Sequence, residues 1–103
     1  MSQRKHVRID YHLRPDADLE AYLAEVARFV ANIATYHASN EYATYRDAKD
    51  PRHFVHVGHF DADVSEPMQT EAWFKTFTAQ LRTQSVAPPD VVMLDVVAST
   101  ARG

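Results

Sequence analysis

Six histidines in a chain of 103 residues are the side chains best suited to chemistry. His53, His56 and His59 recur at every third position through a segment rich in β-branched and aromatic residues. Such a segment predicts a strand, where successive side chains alternate between the two faces. His53 and His59 then share one face while His56 points to the other, so the three cannot converge on one ion. The sequence therefore predicts no metal site.

His56 has the most specific chemical potential of the six. On a strand it shares a face with Phe54, Gly58 and Phe60, and if that face looks toward the helices, a neutral imidazole there could accept a phenolic proton. The alternative is a core histidine that is hydrogen-bonded to a tyrosine or to the backbone. We take His56 as the candidate catalytic base and keep the core role open.

The composition excludes several classes of function. The absence of cysteine rules out a thiolate nucleophile, a disulfide framework and a cysteine-ligated zinc. Two glycines and no glycine-rich loop argue against a phosphate cradle. A net charge of −3 with interspersed signs gives no footprint for nucleic acid or an anionic membrane. Without a secretory signal or an apolar run of about 20 residues, we expect a cytoplasmic protein and no membrane partner.

Hydrophobic periodicity predicts six elements that could position these residues. They are, in order, a strand at 6–13, a helix at 19–33, a strand starting between 36 and 41 and ending near 46, a strand at 54–60, a helix from about 65 to 81, and a strand at 91–98. Asp16 or Asp18 could cap the first helix and Ser65 the second. Gly58 inside the third strand indicates a bulge or a close approach of backbone or ligand.

The order β-α-β-β-α-β is that of the split βαβ, ferredoxin-like arrangement. The predicted fold class is therefore α+β, an antiparallel sheet with two helices on one face. A chain of this length forms one domain, here residues 1–103 with a core of about 5–98.

Two helices can cover only one face of the predicted sheet. The last strand, VVMLDVVA, is nearly continuously apolar, which is typical of burial on both faces. A large apolar sheet face is unusual on a soluble monomer. We therefore expect a second copy to pack sheet to sheet, forming a two-fold homodimer.

The pattern resembles the antibiotic biosynthesis monooxygenase-like superfamily of dimeric α+β barrels. Three short motifs between residues 5 and 98 carry the resemblance. They are the hairpin Tyr45-Arg46-Asp47 with Asp50-Pro51-Arg52-His53-Phe54-Val55, the strand end His59-Phe60-Asp61, and the helical Phe74 followed by Phe77 and Leu81.

The resemblance implies a homodimer with a pocket between helices and sheet in each subunit. Some members oxidise aromatic polyketides or quinols with oxygen and need no metal or flavin. By this analogy the chain is a cofactor-independent monooxygenase acting on a small aromatic or quinol-type ligand, with His56 as base and Tyr45, Phe60, Trp73 and Phe74 as substrate-binding walls. The alternatives are a non-catalytic small-molecule-binding module and a structural homodimer of the same fold.

The chain departs from the family pattern on the second helix. Members usually carry a histidine about six residues before the phenylalanine and another directly before it, whereas this chain has Met68 and Trp73 there. Neither side chain can shuttle a proton. No histidine lies on either predicted helix, so the haem ligand of the haem-degrading members has no counterpart, and we expect no cofactor.

Overall fold

The computed structural model describes residues 3–100 and contains one four-stranded sheet and three helices. The elements are β1 (Arg4–His12), α1 (Leu19–Tyr36), β2 (Glu41–Asp47), β3 (Asp50–Asp61), α2 (Ala62–Met68), α3 (Ala72–Gln84) and β4 (Asp90–Leu94). The strand order is β2-β3-β1-β4 and every neighbouring pair is antiparallel. This is the ferredoxin-like α+β fold that the sequence predicts.

The helix α1 follows its amphipathic pattern closely. Its buried side chains are Tyr22, Val26, Phe29 and Ile33, which recur at three- and four-residue intervals and so form one face. Asp18 is the N-cap, and its carboxylate accepts a hydrogen bond of 3.1 Å from the backbone N–H of Ala21. Of the two candidate caps, the structure therefore selects Asp18.

The inner face of the sheet, which packs against the helices, holds the core. On β3, alternation buries Phe54, His56, Gly58 and Phe60, while Val55 and Val57 are only partly buried on the other side. The expectation that His56 faces the helices is confirmed, since Tyr11 and Tyr22 pack in the same core.

Gly58 is required by two aromatic rings rather than by a bulge. The strand register runs without a shift through this position, where Gly58 pairs with Val7 on one side and Tyr42 on the other. An added Cβ would lie 2.5 Å from Phe60 Cε2 and 2.9 Å from Tyr42 Cδ2. The missing side chain thus leaves room for these two rings to lean over the strand.

The second predicted helix is two helices, so the assignment of Ser65 as its N-cap is wrong. Ser65 is buried within α2, and α3 begins afresh with Glu71 as N-cap. Between them the Thr70 hydroxyl donates a 2.6 Å hydrogen bond to the carbonyl of Pro67, and the Thr70 N–H bonds the same oxygen at 3.1 Å. These i to i+3 contacts tighten the chain into a turn instead of continuing the helix.

The last strand is shorter than its apolar sequence predicts. It ends at Leu94, opposite His6 on β1. Beyond it Val96 and Val97 form no strand and are exposed, Val97 to 98%. An apolar run alone does not mark where a strand ends, since β1 continues to Arg4 while β4 stops at Leu94.

The outer face of the sheet carries charge as well as apolar surface. Ala43 and Tyr45 on β2 pair with Val57 and Val55 on β3 and form an apolar area. The neighbouring β1 presents His6, Arg8, Asp10 and His12, which alternate with its inward-facing side chains. Arg8 pairs with Asp90 of β4 at 3.3 Å.

Among the described residues, no helix is both long and apolar enough to cross a membrane.

We expect Gly58→Ala to lower the free energy of unfolding by about 1–3 kcal/mol, because the new methyl group overlaps two packed rings. Chemical denaturation would measure it. Ala43→Ser, which adds one atom on the outer face one strand away, should change stability by less than about 0.5 kcal/mol. A Gly58→Ala protein as stable as the unaltered chain would contradict the close approach.

Candidate functional site

A cavity of about 330 Å³ lies between the inner face of the sheet and the helices α1, α2 and α3. Its walls are mainly aromatic and aliphatic, including Phe29, Phe60, Phe74 and Phe77. Its polar lining consists of Lys5, Tyr42, Ser65, Gln69 and Thr78. A mostly apolar cavity of this size with few polar groups is typical of small-molecule sites. A fully packed interior, as the purely structural alternative would require, is not what the fold contains.

A chain of four hydrogen-bonded rings runs behind one wall of this cavity. Tyr22 Oη lies 2.5 Å from Tyr11 Oη, and Tyr11 Oη lies 2.6 Å from His56 Nε2. The other imidazole nitrogen, Nδ1, lies 2.7 Å from Tyr42 Oη and 3.3 Å from Thr44 Oγ1. His56 is 0% exposed, and its imidazole has Tyr11, Tyr42 and Thr44 as side-chain hydrogen-bond partners.

Burial keeps every member of the chain neutral. Desolvation lowers the pKa of His56 to about 4, and it raises the pKa of Tyr22 to about 12. The pKa values of Tyr11 and Tyr42 are raised further, again mainly by desolvation, with the neighbouring Tyr22 adding to the effect in both. At neutral pH the imidazole therefore has one N–H, and each tyrosine has its proton.

A neutral imidazole allows two directions of hydrogen bonding along the chain. In one direction Tyr22 donates to Tyr11, Tyr11 donates to His56 Nε2, and Nδ1–H donates to Tyr42, whose own O–H is left for another acceptor. In the other direction Tyr42 donates to Nδ1, and Nε2–H donates to Tyr11, which donates to Tyr22. Tyr42 can thus present either a donor or an acceptor to the cavity.

The structure brings together some of the site residues predicted from the sequence and separates others. Phe60 and Phe74 line the cavity. His56 lies behind its wall, with Tyr42 between. Trp73 packs on Phe29 with ring centres 5.8 Å apart and lines a separate groove between α1 and α3.

Tyr45 is not brought to the cavity. It pairs with Val55 on the outer face of the sheet and is 59% exposed. The outward position of Tyr45 follows from the alternation of β2. Because Tyr42 and Thr44 face His56, the next residue, Tyr45, must point to the opposite face. The family motif that contains Tyr45 therefore marks the hairpin and not the cavity.

None of the five polar residues that line the cavity was predicted as a site residue. Tyr42 and Lys5 are the two that matter most for its chemistry. The signal for Lys5 was its spacing of two and four residues from Val7 and Ile9, which places all three side chains on the inner face of β1. The signal for Tyr42 was its two-residue spacing from Thr44, but the uncertain start of β2 hid that register.

A second polar cluster lies on the outer face, where ligand atoms of Asp10, His12 and His53 lie within 4.8 Å of one another. Both ring nitrogens of His53 already contact carboxylates, at 2.8 Å from Asp10 and 3.3 Å from Asp47. These contacts, the Asp10 hydrogen bond foremost, raise the pKa of His53. The arrangement suits an imidazolium between two carboxylates, which leaves no free ring nitrogen for an ion.

No protein-family model matches the chain, and no curated protein matches it. Solved structures do match. A mutant of SnoaB, a cofactor-independent oxygenase from Streptomyces nogalater, superposes with a TM-score of 0.79 at 12% identity, over 96% of this chain and 98% of that one. An antibiotic biosynthesis monooxygenase superposes with a TM-score of 0.76 at 21% identity, over 91% and 99%.

A Pseudomonas aeruginosa protein gives a TM-score of 0.77 at 20% identity, over 95% of this chain and 98% of its own. Near-complete coverage of both chains in each case means that the whole fold is shared, not a fragment of it. Identities of this order establish architecture and leave chemistry open. The chain therefore has the fold of the antibiotic biosynthesis monooxygenase-like proteins, as its sequence motifs predict.

Proposed function

We propose that the cavity binds a small aromatic or quinol-type molecule and promotes its oxidation by molecular oxygen without a cofactor. The observation that carries the proposal is the position of Tyr42, which lines the cavity and whose hydroxyl is hydrogen-bonded to a buried, neutral imidazole. The fold shared with a cofactor-independent oxygenase supports the same reading.

In this reaction the substrate itself is the reductant. Loss of a proton makes the ring electron-rich, and a ring carbon transfers electrons to oxygen. Oxidation of the quinol to a hydroxyquinone replaces one ring C–H by C–OH, so that one oxygen atom enters the product and the other leaves as water. The protein would supply deprotonation, orientation and a dry cavity. A substrate hydroxyl would donate its proton to Tyr42 Oη while Tyr42 passes its own to His56 Nδ1. His56 thus acts through Tyr42, the residue that would touch the substrate.

Magnitudes decide whether His56 can accept this proton. With a pKa of about 4, protonation at pH 7 costs roughly 4 kcal/mol. The substrate anion would lie two hydrogen bonds away, ~5–6 Å, and its attraction returns roughly 3 kcal/mol at an effective dielectric constant of ~20. The imidazolium is therefore accessible only as a partner of a bound anion, so a proton would move only when substrate fills the cavity.

A non-catalytic binding module is the second candidate. It is favoured by the neutrality of the four-ring chain, whose groups all have pKa values far from 7. Turnover distinguishes the two candidates, because both predict binding and only the first predicts oxygen uptake.

We propose further that the protein works as a homodimer through the outer face of its sheet. The apolar area of Ala43, Tyr45, Val55 and Val57 lies on the outer face of the sheet, opposite the cavity and the helices that the structure describes. Burying about 1,500 Å² there would outweigh any surface ion pair.

Oxygen uptake with 1,4-dihydroxynaphthalene is the test of the proposed reaction. We expect Tyr42→Phe to lower the rate of uptake about 100-fold, because it removes the hydroxyl through which the cavity is linked to His56. Tyr45→Phe is the matched control, since it removes the same atom from the outer face and should leave the rate unchanged. Binding without uptake by the unaltered protein would favour the binding module, and equal rates in Tyr42→Phe would exclude the relay.

The neutrality of His56 predicts a specific dependence of stability on pH. Its pKa is lowered in the folded state, so the unfolded chain binds the proton more tightly, and stability should be lost as pH falls from about 6.5 toward 4. The expected loss is roughly 3 kcal/mol. Urea denaturation of the unaltered protein and of His56→Gln across this range measures it.

The other shifted groups act outside that window. The pKa values of Asp16, Asp47 and Asp61 are lowered from 3.8, so their contribution is lost below about pH 4. The raised pKa of His53 gives a contribution that is present below 6.5 and lost above it. Parallel profiles for the unaltered protein and His56→Gln between pH 6.5 and 4.5 would contradict a buried neutral imidazole.

Sedimentation at micromolar concentration tests the homodimer. We expect a dimer, and we expect Val55→Asp to yield monomers because it places a charge within the proposed interface. Val86→Asp, in an exposed segment after α3, should leave the dimer intact. A monomeric unaltered protein would contradict the proposal.

A further inference from the structure

The cavity contains one charged group, Lys5, on its rim. Lys5 lies on the inner face of β1, two residues before Val7, and pairs across the sheet with Phe60. Among the residues of the 3–100 range that line the cavity, none carries a carboxylate. The cavity is thus an apolar space with a formal charge of +1, within a chain whose net charge is −3.

The neighbouring cation differs from Lys5 in having ionic partners. Arg4 lies on the opposite face and is held by two carboxylates, Glu41 at 3.3 Å and Asp61 at 3.2 Å. Lys5, in contrast, forms no ion pair and no side-chain hydrogen bond with any residue in the part of the chain that the structure describes. Its ammonium therefore keeps its full capacity for an anion.

The cavity also contains a hydrogen-bond donor without charge. Gln69 donates an amide hydrogen to Ser65 Oγ at 3.1 Å, so the Ser65 hydroxyl accepts one bond and still has its own hydrogen to donate. Ser65 is buried and lines the same cavity as Lys5. The cavity thus offers an anionic ligand one positive charge and one hydroxyl donor among mainly apolar walls.

Sheet geometry gives the approximate size of the ligand. Lys5 and Tyr42 lie on β1 and β2, separated by β3, and their rows in the sheet are two residues apart. With strands ~4.8 Å apart and a rise of ~3.4 Å per residue, their Cα atoms are roughly 12 Å apart. Both side chains point into the same cavity, so a flat molecule of two or three fused rings could reach both.

We propose that the ligand of this cavity is an aromatic anion, with its carboxylate held by Lys5 and its ring system lying on Phe60, Phe74 and Phe77 toward Tyr42. This inference rests on the proposed function only in taking the same cavity as the binding site. It adds the charge of the ligand and the end at which the charge is bound. An exposed ammonium contributes little by itself, but beside an apolar wall it discriminates between ligands that differ only in charge.

A pair of ligands with the same rings tests the inference, namely 2-naphthoate and the neutral 2-naphthamide. Dissociation constants by calorimetry, with amide NMR shifts to locate binding, should show that the unaltered protein prefers the anion. Lys5→Gln should weaken naphthoate binding roughly tenfold and leave naphthamide unchanged. Lys75→Gln, which removes the same charge from the exposed face of α3, should change neither.

Charge reversal sharpens the test. Lys5→Glu should abolish the binding of naphthoate and allow the binding of 2-naphthylmethylammonium. Binding of naphthamide should be retained, which would show that the cavity is intact. Unchanged anion preference in Lys5→Gln, or equal binding of the two ligands by the unaltered protein, would overturn the inference and leave the proposed function standing. Failure of both ligands to bind the unaltered protein would remove the binding site on which both depend.

Discussion

The burial of an imidazole among three tyrosine hydroxyls is the constraint on which the rest of the site depends. An unpaired buried polar group costs ~1–3 kcal/mol, so His56 can be tolerated at 0% exposure only if both of its nitrogens are bonded. Tyr11 and Tyr42 meet that need from the strands on either side of β3. Because these partners come from β1 and β2, the hydrogen bonds also fix the register of the three strands. The polar chain thus specifies the sheet while it prepares one hydroxyl, that of Tyr42, for the cavity.

The cavity exists because the aromatic side chains around it support one another at a distance from the strand. Gly58 lets the rings of Phe60 and Tyr42 cross over β3. Phe29 stacks on Phe77 with ring centres 4.0 Å apart and joins α1 to α3 above the sheet. Rings held in this way form a rigid frame, since each has only two rotatable side-chain bonds and several ring contacts. The remaining space opens over β1 and β4, where the short β4 gives the helices less to pack against.

Local periodicity was enough to predict the fold, and it placed His56 on the correct face. The alternation around Phe54 and Phe60 admits only one face for His56, and the stripe of Tyr22, Val26 and Phe29 admits only one for α1. The neighbours of His56 could not be predicted, because they depend on strand register. Ser39 and Asn40 interrupt the β-like run after Tyr36, so the start of β2 stayed open anywhere from Tyr36 to Glu41. Tyr45 was predicted to line the cavity, and the structure places it on the outer face for the same reason. A short motif does not show which face of a strand a residue occupies, and successive residues alternate between the two faces. The end of β4 at Leu94 could not be predicted either, because the apolar run continues to Ala98 and carries no signal for the end of the strand.

The two ends of the cavity divide the work of recognition in a way that follows from their environments. Tyr42 sits against a neutral, desolvated chain, so it can exchange a hydrogen bond or a proton but cannot hold a charge alone. Lys5 lies on the rim, where water solvates its charge before a ligand arrives, and its ammonium can hold an anion. A ligand whose charged group lay at the Tyr42 end would lose its hydration there, at a cost in free energy of the same kind as the one that lowers the pKa of His56. Orientation would therefore be set by the cost of burial, which keeps the reactive ring beside Tyr42 and the carboxylate at the rim.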